Sequence, residues 1–139
     1  MVQLLIDYTY KYKNHIILEL NDKDDNGAYP LSPACNKNNI EMIKLLIDYS
    51  NKNKIILKLN EKDKYGYCPL LSACNKNNNE MAKLLIDYAN ENHIILELND
   101  KDDNGAYPLS LACNKNNNEM AKLLIDYANE LKSYYFGIK

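Results

Sequence analysis

The chain of 139 residues contains no arginine and no tryptophan, and it has only one phenylalanine. Its 17 basic residues are therefore all lysines, and 19 acidic residues bring the net charge to −2. Without arginine, the chain lacks the side chain that most often reads guanine and grips phosphate with two hydrogen bonds. Without a strong positive charge, it has no general attraction for nucleic acid or for an anionic membrane. We therefore expect neither nucleic acid nor a membrane among its partners.

Long apolar segments are also missing. No run approaches the ~18 apolar residues that are needed to span a bilayer. The apolar start, MVQLLIDY, is too short for the core of a signal peptide and contains Asp7. With 46% apolar residues, the chain has the size and composition of one domain with a core. These features predict an intracellular protein, which we place in the cytoplasm.

The four cysteines include no C-x-x-C pair, so the spacing typical of zinc sites is missing. Cys35, Cys74 and Cys113 follow one another at two equal intervals, and Cys68 stands apart. Cysteines one structural repeat apart lie roughly 10 Å from each other, beyond the ~7 Å limit for a disulfide. We interpret all four as small, buried and reduced residues.

What the sequence has in abundance is repetition. The pentapeptide LLIDY begins at Leu4, Leu45, Leu84 and Leu123, and the last two intervals are equal in length. Such a regular period predicts a solenoid of stacked units. We interpret 1–139 as a single domain made of a partial unit (1–20), a first unit (21–59), a second unit (60–98) and a third unit with a divergent end (99–139).

Each unit is predicted to be α-helical apart from its turns. In the second unit, the polar turn NEKDKYGYC leads to PLLSACNK, a short apolar helix that opens with proline, which suits the first helical position. A longer helix follows in NNNEMAKLLIDYAN, where Met81, Leu84, Leu85 and Tyr88 fall on one face. Asn78 or Asn79 can cap its start. The connector IILEL that follows is either extended or helical. Neither helix can bury its apolar face without a neighbouring unit.

This pattern resembles the ankyrin repeat. That family's turn-and-helix phrase is an aspartate, two variable residues, a glycine, one residue and T-P-L-H. Three segments of this chain are similar to it: DDNGAYPLS, which begins at Asp24 and again at Asp102, and DKYGYCPLL, which begins at Asp63. The family's paired alanines appear as AC, and its G-H-x-E-I-V-x-L-L appears as NNIEMIKLL and NNNEMAKLL. The resemblance implies an all-α, ankyrin-type helix-turn-helix solenoid with short hairpin-like turns between repeats. In that family, the turn tips and the exposed side of the first helix commonly contact partner proteins.

The chain departs from the family pattern at several positions. The threonine and histidine of T-P-L-H are replaced in every unit. Asparagine stands at Asn38, Asn77 and Asn116 in place of a turn glycine, and asparagine tolerates the left-handed conformation. The period exceeds the usual length of about 33 residues, and the surplus lengthens the connector. Pro33, at the fourth position of the first short helix, should loosen that helix.

The two ends of the chain are unlike the units between them. MVQLLIDY aligns with MAKLLIDY, so the chain starts inside a second helix, and its last unit diverges into LKSYYFGIK after Glu130. Terminal units of solenoids normally carry a polar outer face. We prefer to interpret the chain as a segment of a longer array. The alternative is a short protein in which Tyr134, Tyr135 and Phe136 form an improvised cap. Bare apolar ends would also permit end-to-end self-association.

One motif suggests a metal site. The stretch DKDDNGAYPLS occurs at 22–32 and again at 100–110, and its opening D-x-D-x-N-G is how a calcium-binding loop begins. Such a loop needs a bidentate glutamate at its twelfth position, where this chain has Pro33 and Leu111. We therefore interpret the stretch as a β-turn, and we expect no metal site.

Nothing in the sequence predicts catalysis. No serine stands in a G-x-S-x-G elbow, no glycine-rich loop could hold phosphate, and the carboxylates recur with the repeat, as structural residues do. The two histidines, His15 and His93, are more than one unit apart, and we interpret them as solvated loop residues. We expect a binding protein without enzymatic activity and without a cofactor.

The second turn differs from its two neighbours, which agree with each other. Lys64, Tyr65 and Tyr67 replace an aspartate, an asparagine and an alanine. Aromatic residues are enriched at interaction hot spots, although drift within one repeat would produce the same difference. Tyrosines on the long helices are instead interpreted as core. We predict that a partner protein binds Lys64, Tyr65, Tyr67 and Leu71, flanked by Asp25, Asn26, Asp103 and Asn104, with Lys37, Lys76 and Lys115 at the rim.

Rigid presentation of the turn tips and first helices would keep the ordering cost of binding low. The alternative function is a structural one, in which the chain is a spacer segment of a longer solenoid and has no partner of its own. Further units of the same length in adjoining sequence would favour the spacer.

Overall fold

The computed structural model describes residues 2–5, 7 and 16–137. Over this part of the chain the secondary structure is helical, without strands, as the sequence predicts. A helical stretch at 2–5 and 7 precedes three pairs of helices. They are α1 (Leu31–Asn36), α2 (Ile40–Lys52), α3 (Pro69–Asn75), α4 (Asn79–Glu91), α5 (Pro108–Asn114) and α6 (Asn118–Phe136).

The helices form two layers. The short helices α1, α3 and α5 stack side by side, and the long helices α2, α4 and α6 stack beside them. Each short helix also packs against the long helix of its own unit. The core lies between the layers and is most complete in the second unit, because that unit has a neighbour on both sides. Within it, Leu71, Met81 and Cys74 have no exposed surface.

Asparagine residues build the turns between short and long helices. Asn38, Asn77 and Asn116 adopt φ values of 60°, 57° and 54°, which confirms the left-handed conformation expected of them. The following asparagine caps the long helix. In the second unit, the Met81 amide donates to the Asn78 side-chain oxygen at 3.0 Å. Because both interactions are local, the NN pair ends one helix and starts the next in every unit.

Pro33 alters the first short helix as predicted. In α3 and α5, the amides of Ser72 and Leu111 donate to the carbonyl four residues back, each at 3.0 Å. Pro33 stands at the same position in α1 and has no amide hydrogen. Instead, the Ser32 amide donates to the Tyr29 carbonyl, three residues back, at 2.9 Å. Helix α1 consequently has six residues where α3 has seven.

The connectors are not helical over 55–59 and 94–97. Helices α2 and α4 end before left-handed residues, Lys54 at φ 54° and His93 at φ 57°. The chain then runs through IILKL (55–59) or IILEL (94–98); we call these two segments, and IILEL at 16–20, the arms. In the first and second units, the extra residues of the long period therefore form the arms and do not extend α2 and α4.

Side chains tie each arm to the next unit. The Tyr88 hydroxyl accepts from the Leu57 amide at 2.9 Å, and the Tyr127 hydroxyl accepts from the Leu96 amide at 3.0 Å. Tyr88 and Tyr127 are buried, whereas Tyr49, the third tyrosine interpreted as core, is half-buried.

Asparagine clamps connect neighbouring arms. The Asn21 side-chain amide donates to the Ile56 carbonyl at 2.8 Å, and its oxygen accepts from the Lys58 amide at 3.1 Å. Asn60 makes the equivalent pair with the Ile95 carbonyl (2.8 Å) and the Glu97 amide (2.9 Å).

The third unit ends differently, because α6 continues to Phe136 where the arm of that unit would begin. Gly137, at φ 64°, terminates the helix by donating its amide to the Ser133 carbonyl at 3.1 Å. Tyr134 and Phe136 are each 73% exposed. Tyr135, the third residue of the suggested cap, is 42% exposed.

Two expectations about burial were wrong. Cys35, Cys68 and Cys74 are buried, but Cys113 is exposed, because α5 packs against one described short helix whereas α3 packs against two. Leu84 is half-buried, at the edge of a stripe that is centred on Met81, Leu85 and Tyr88. Among the helices described, none is long and apolar enough to cross a membrane.

Candidate partner-binding surface

An aspartate organises each turn that precedes a short helix. One oxygen of the Asp63 carboxylate accepts from the amides of Tyr65 and Tyr67, at 2.9 and 3.0 Å. Asp24 and Asp102 each accept two amides in the same way, all at 2.9 Å. The turn is closed by a glycine amide that donates to the aspartate carbonyl, at 3.0 or 3.1 Å. The aspartate, the glycine and the two residues whose amides the carboxylate holds therefore fix the end of each turn, which we call its tip.

The same geometry explains the motif that resembles a calcium loop. Its second aspartate, Asp24 or Asp102, uses a carboxylate oxygen to hold backbone amides, as a β-turn requires. No group of three or more His, Cys, Asp or Glu side chains within 2–5, 7 and 16–137 could hold a metal ion. His93 is exposed at the left-handed turn after α4, and His15 lies outside the described residues.

Neighbouring turns are connected to each other. The Tyr29 hydroxyl donates to the Glu61 carbonyl at 3.1 Å, and the Lys62 ammonium donates to the Lys101 carbonyl at 2.7 Å. Lys23 forms an ion pair with Glu61 at 3.0 Å, which lowers the pKa of that carboxyl group. The three tips are therefore held in a fixed order along one edge of the solenoid.

Polar bonds behind the tips connect the first and second units. The Asn36 side-chain amide donates to the Asp63 carboxylate at 2.8 Å, and its oxygen accepts from the Ser72 hydroxyl at 2.7 Å. Gly66 is buried against the third turn, where a Cβ atom would come within 2.9 Å of the Asp103 backbone nitrogen. The second turn thus has close contacts on both sides.

Lys64 and Tyr65 form the exposed tip of the second turn. The Lys64 ammonium lies 5.0 Å from the centre of the Tyr65 ring, which is within the range of a cation–π contact. It also lies 3.5 Å from the Asn26 side-chain oxygen of the first turn. Tyr65 is 59% exposed even with this contact. An aromatic ring thus projects from a fixed turn with a cation on its face.

The remaining predicted contact residues fall into three groups. Tyr67 is half-buried, and burial together with the neighbouring Asp102 carboxylate raises the pKa of its hydroxyl. Asp25, Asn26, Asp103 and Asn104 are exposed on the flanking tips. Lys37, Lys76 and Lys115 are exposed at the residue that follows each short helix. A helix of seven residues is about 10 Å long, so the lysines form a separate rim from the tips.

Leu71 was wrongly assigned to this surface. Its side chain has no exposed area, because it lies within α3 between α1, α5 and the long helix α4. It stands where the family pattern has histidine, and that alignment gave no information about which side of α3 is covered. Leu71 is therefore a core residue that cannot contact a partner.

The clamps formed by Asn21 and Asn60 were missed by sequence reasoning. The signal was present, since an asparagine follows every IIL-x-L segment in the sequence, at Asn21, Asn60 and Asn99. A lysine–glutamate ladder on the long helices was also missed. It runs from Lys44 to Glu80 at 3.3 Å and from Lys83 to Glu119 at 3.2 Å.

Burial also determines the chemistry of the thiols. It raises the pKa of Cys35 and of Cys74 to about 12, and it raises the pKa of Cys68 as well. Since the thiolate is the reactive form, these three side chains are inert at neutral pH.

Comparison with known proteins gives one consistent result. The sequence model described as "Ankyrin repeats (3 copies)" matches residues 1–95, and the model described as "Ankyrin repeat" matches residues 104–132. The crystal structure of an ankyrin repeat domain from Acinetobacter baumannii AYE is similar to the chain, with a TM-score of 0.63 and 22% identity. That match covers 80% of this chain and 53% of the solved one, so the chain spans about half the length of that domain. Among curated proteins, none matches the sequence.

Proposed function

The chain belongs to the ankyrin repeat family, and from that premise we propose that it binds a partner protein through the tips of its three turns. Ankyrin repeats are generally protein–protein interaction modules and are typically not enzymes. The proposed contact surface, which we call the tip surface, consists of Asp25, Asn26, Lys64, Tyr65, Asp103 and Asn104, with Tyr67 at its base. The rim formed by the exposed lysines that follow the short helices, Lys37, Lys76 and Lys115, adjoins the tip surface.

The observation that carries the proposal is the geometry of Tyr65. Its ring is 59% exposed at the centre of the surface, on a turn whose backbone is held by Asp63. A tyrosine has only two side-chain torsions, so burying it in an interface loses little conformational entropy. Aromatic anchors of this kind contribute much of the affinity at protein interfaces.

The charges of the surface support a protein partner. The flanking tips carry Asp25 and Asp103, and Lys64 lies between them, so the surface has no single sign. The whole chain has a net charge of −2 and no arginine, which does not favour nucleic acid. A partner of mixed charge with a pocket for one tyrosine fits these features.

The test is affinity capture with the chain and two variants, Tyr65→Ala and Tyr134→Ala. Both substitutions remove an exposed tyrosine, 59% and 73% exposed, but Tyr134 lies on the end of α6. We expect Tyr65→Ala to reduce retention of the partner at least tenfold and Tyr134→Ala to leave it unchanged. A hot-spot residue typically accounts for such a loss.

The outcomes separate the alternatives. Equal retention by both variants would move the binding site away from the tip surface. A loss with Tyr134→Ala alone would place it at the end of the solenoid. No retained protein in any sample would favour the structural spacer over the binding module.

A further inference from the structure

Two turns of the chain have the same sequence but lie in different surroundings. The stretch DKDDNGAYPLS occurs at 22–32 and at 100–110, and each copy contains an asparagine followed by a glycine, Asn26–Gly27 and Asn104–Gly105. The second turn has Tyr65 in place of the asparagine. Because the two copies are identical, a difference in reactivity between the two pairs in the folded chain must come from the tertiary structure.

An asparagine that precedes a glycine can lose ammonia by closing a ring. The glycine amide nitrogen gives its proton to water and attacks Cγ of the asparagine side chain, so that a bond forms between the nitrogen and Cγ. The bond between Cγ and Nδ2 breaks, and ammonia leaves. Glycine has no Cβ that would hinder the closure, and the chain already holds the two groups together. Water then opens the ring at either carbonyl carbon, which leaves aspartate or isoaspartate.

The folded turns restrain this reaction. Asn26 and Asn104 are both exposed to water, but the attacking nitrogens are engaged in hydrogen bonds. The Gly27 and Gly105 amides each donate to the carbonyl of the turn aspartate at 3.0 Å. Gly27 is half-buried and Gly105 is exposed, but the same bond must be broken in both. The rate therefore depends on how readily each turn opens.

The first turn has the weaker hold on its backbone. The Asp24 carboxylate is exposed, and so are its two bonds to backbone amides, which water can replace. In the third turn, Asp102 is only 8% exposed and has Tyr67 as a neighbour, and its two bonds to backbone amides are partly buried. Buried polar groups cost more to leave unpaired than exposed ones. The first turn should therefore open more readily than the third.

Lys64 adds a second difference between the two asparagines. Its ammonium lies 3.5 Å from the Asn26 side-chain oxygen, where negative charge develops when Cγ is attacked. A cation at that position stabilises the transition state more than it stabilises the uncharged amide. Over the described part of the chain, no lysine ammonium makes such a bond to Asn104.

We propose that Asn26 is a site of spontaneous modification to aspartate and isoaspartate, aided by Lys64, and that it reacts before Asn104. In the isoaspartate form the main chain passes through Cγ, so the turn becomes longer and the Gly27 and Ala28 amides are displaced from their bonds to Asp24. Either product places a carboxylate beside the Lys64 ammonium. The reaction needs no partner protein, so the proposal does not depend on the function of the tip surface.

The test is incubation of the folded chain at neutral pH for several weeks, followed by digestion and mass spectrometry. Cleavage after lysine gives the peptides 24–37 and 102–115, which differ in mass because Pro33 and Leu111 occupy equivalent positions. Each conversion adds about 1 Da, and an isoaspartyl methyltransferase labels the isoaspartate form. We expect Asn26 to react about tenfold faster than Asn104, since the bonds that hold its turn are exposed.

Two controls separate the causes. In urea, where no turn is held, the two identical segments should react equally fast and faster than in the folded chain. Lys64→Met removes the charge and keeps an unbranched side chain. It should slow the reaction of Asn26 about two- to fivefold and leave Asn104 unchanged, because the charge acts at an exposed site.

Equal rates for the two asparagines in the folded chain would overturn the proposal, and so would a faster reaction of Asn104. Absence of product at Asn26 in the folded chain, over a period in which the unfolded chain reacts completely, would overturn it as well. An unchanged rate of Asn26 in Lys64→Met would refute the part that concerns the lysine. Since no measurement here uses a partner, loss of the proposed binding function would leave these results unaffected.

Discussion

Removing one hydroxyl group from each long helix tests how the arms are attached. Tyr49, Tyr88 and Tyr127 occupy the same position in successive units, and each accepts a hydrogen bond from an arm amide at 2.9 to 3.0 Å. The amides of Leu57 and Leu96 are in buried bonds, whereas that of Leu18 is in an exposed one. Replacing each tyrosine by phenylalanine keeps the ring and removes the acceptor, together with the longer bonds, of 3.4 Å, that the Tyr88 and Tyr127 hydroxyls donate to the Ile55 and Ile94 carbonyls.

The expected costs differ because water can reach the exposed Leu18 amide and replace its lost acceptor, but it cannot reach the buried amides of Leu57 and Leu96. A buried amide left without a partner costs about 1–3 kcal/mol. We expect that cost for Tyr88→Phe, since Ser50 keeps its own bond to the Ile47 carbonyl at 2.8 Å, and the same cost for Tyr127→Phe. Tyr49→Phe should cost less than about 1 kcal/mol, because the Leu18 amide is solvated.

Urea unfolding followed by circular dichroism measures these differences. With a slope of about 2 kcal/mol per M, Tyr88→Phe should lower the midpoint by roughly 1 M, and Tyr49→Phe should lower it by half of that or less. Equal midpoints for Tyr49→Phe and Tyr88→Phe would refute the view that burial of the arm amide makes the difference. A change in slope would show instead that unfolding had ceased to be cooperative.

Four further predictions concern burial in the core and contacts between neighbouring turns. Leu70→Ala should cost about 2–5 kcal/mol in urea unfolding and Leu109→Ala distinctly less, because the first leucine is 1% exposed and the second 38%; similar costs would contradict the packing. Gly66→Ala should destabilise the chain by about 1–3 kcal/mol more than Gly105→Ala, since both have positive φ but only the first would meet the neighbouring turn. In native protein, a thiol reagent should titrate Cys113 alone, and all four cysteines only after unfolding; faster reaction of a buried thiol would be inconsistent with this. Because burial raises the pKa of those thiols, their contribution to stability should be constant between pH 7 and about pH 8.5 and fall as the pH rises further, as urea midpoints across pH 7–11 would reveal.

The features predicted correctly from the sequence depend on short-range interactions. The left-handed asparagines, the aspartate turns and the effect of Pro33 involve partners that are close in the chain, so the local sequence contains both members of each interaction. The fold followed from the period, since identical units that cannot bury their helices alone must stack.

The exposure of the proposed contact residues was predicted less completely, because exposure depends on what covers a residue. Tyr65 and Leu71 belong to the same turn-and-helix segment, and both were assigned to the surface, yet one is 59% exposed and the other is fully buried. The sequence contains no signal that distinguishes them, since the second helix and the adjoining units decide which side of α3 is covered.

The sequence by itself determined the repeat, the helices and the turns, because each rests on a local pattern that recurs once in every unit. Only the tertiary structure decided how equivalent positions differ between units. Cys113 is exposed where Cys74 is buried, and Tyr49 is half-buried where Tyr88 is buried. The physical reason is that each solenoid unit packs against its neighbours, so identical residues acquire different environments when the segments packed against them differ.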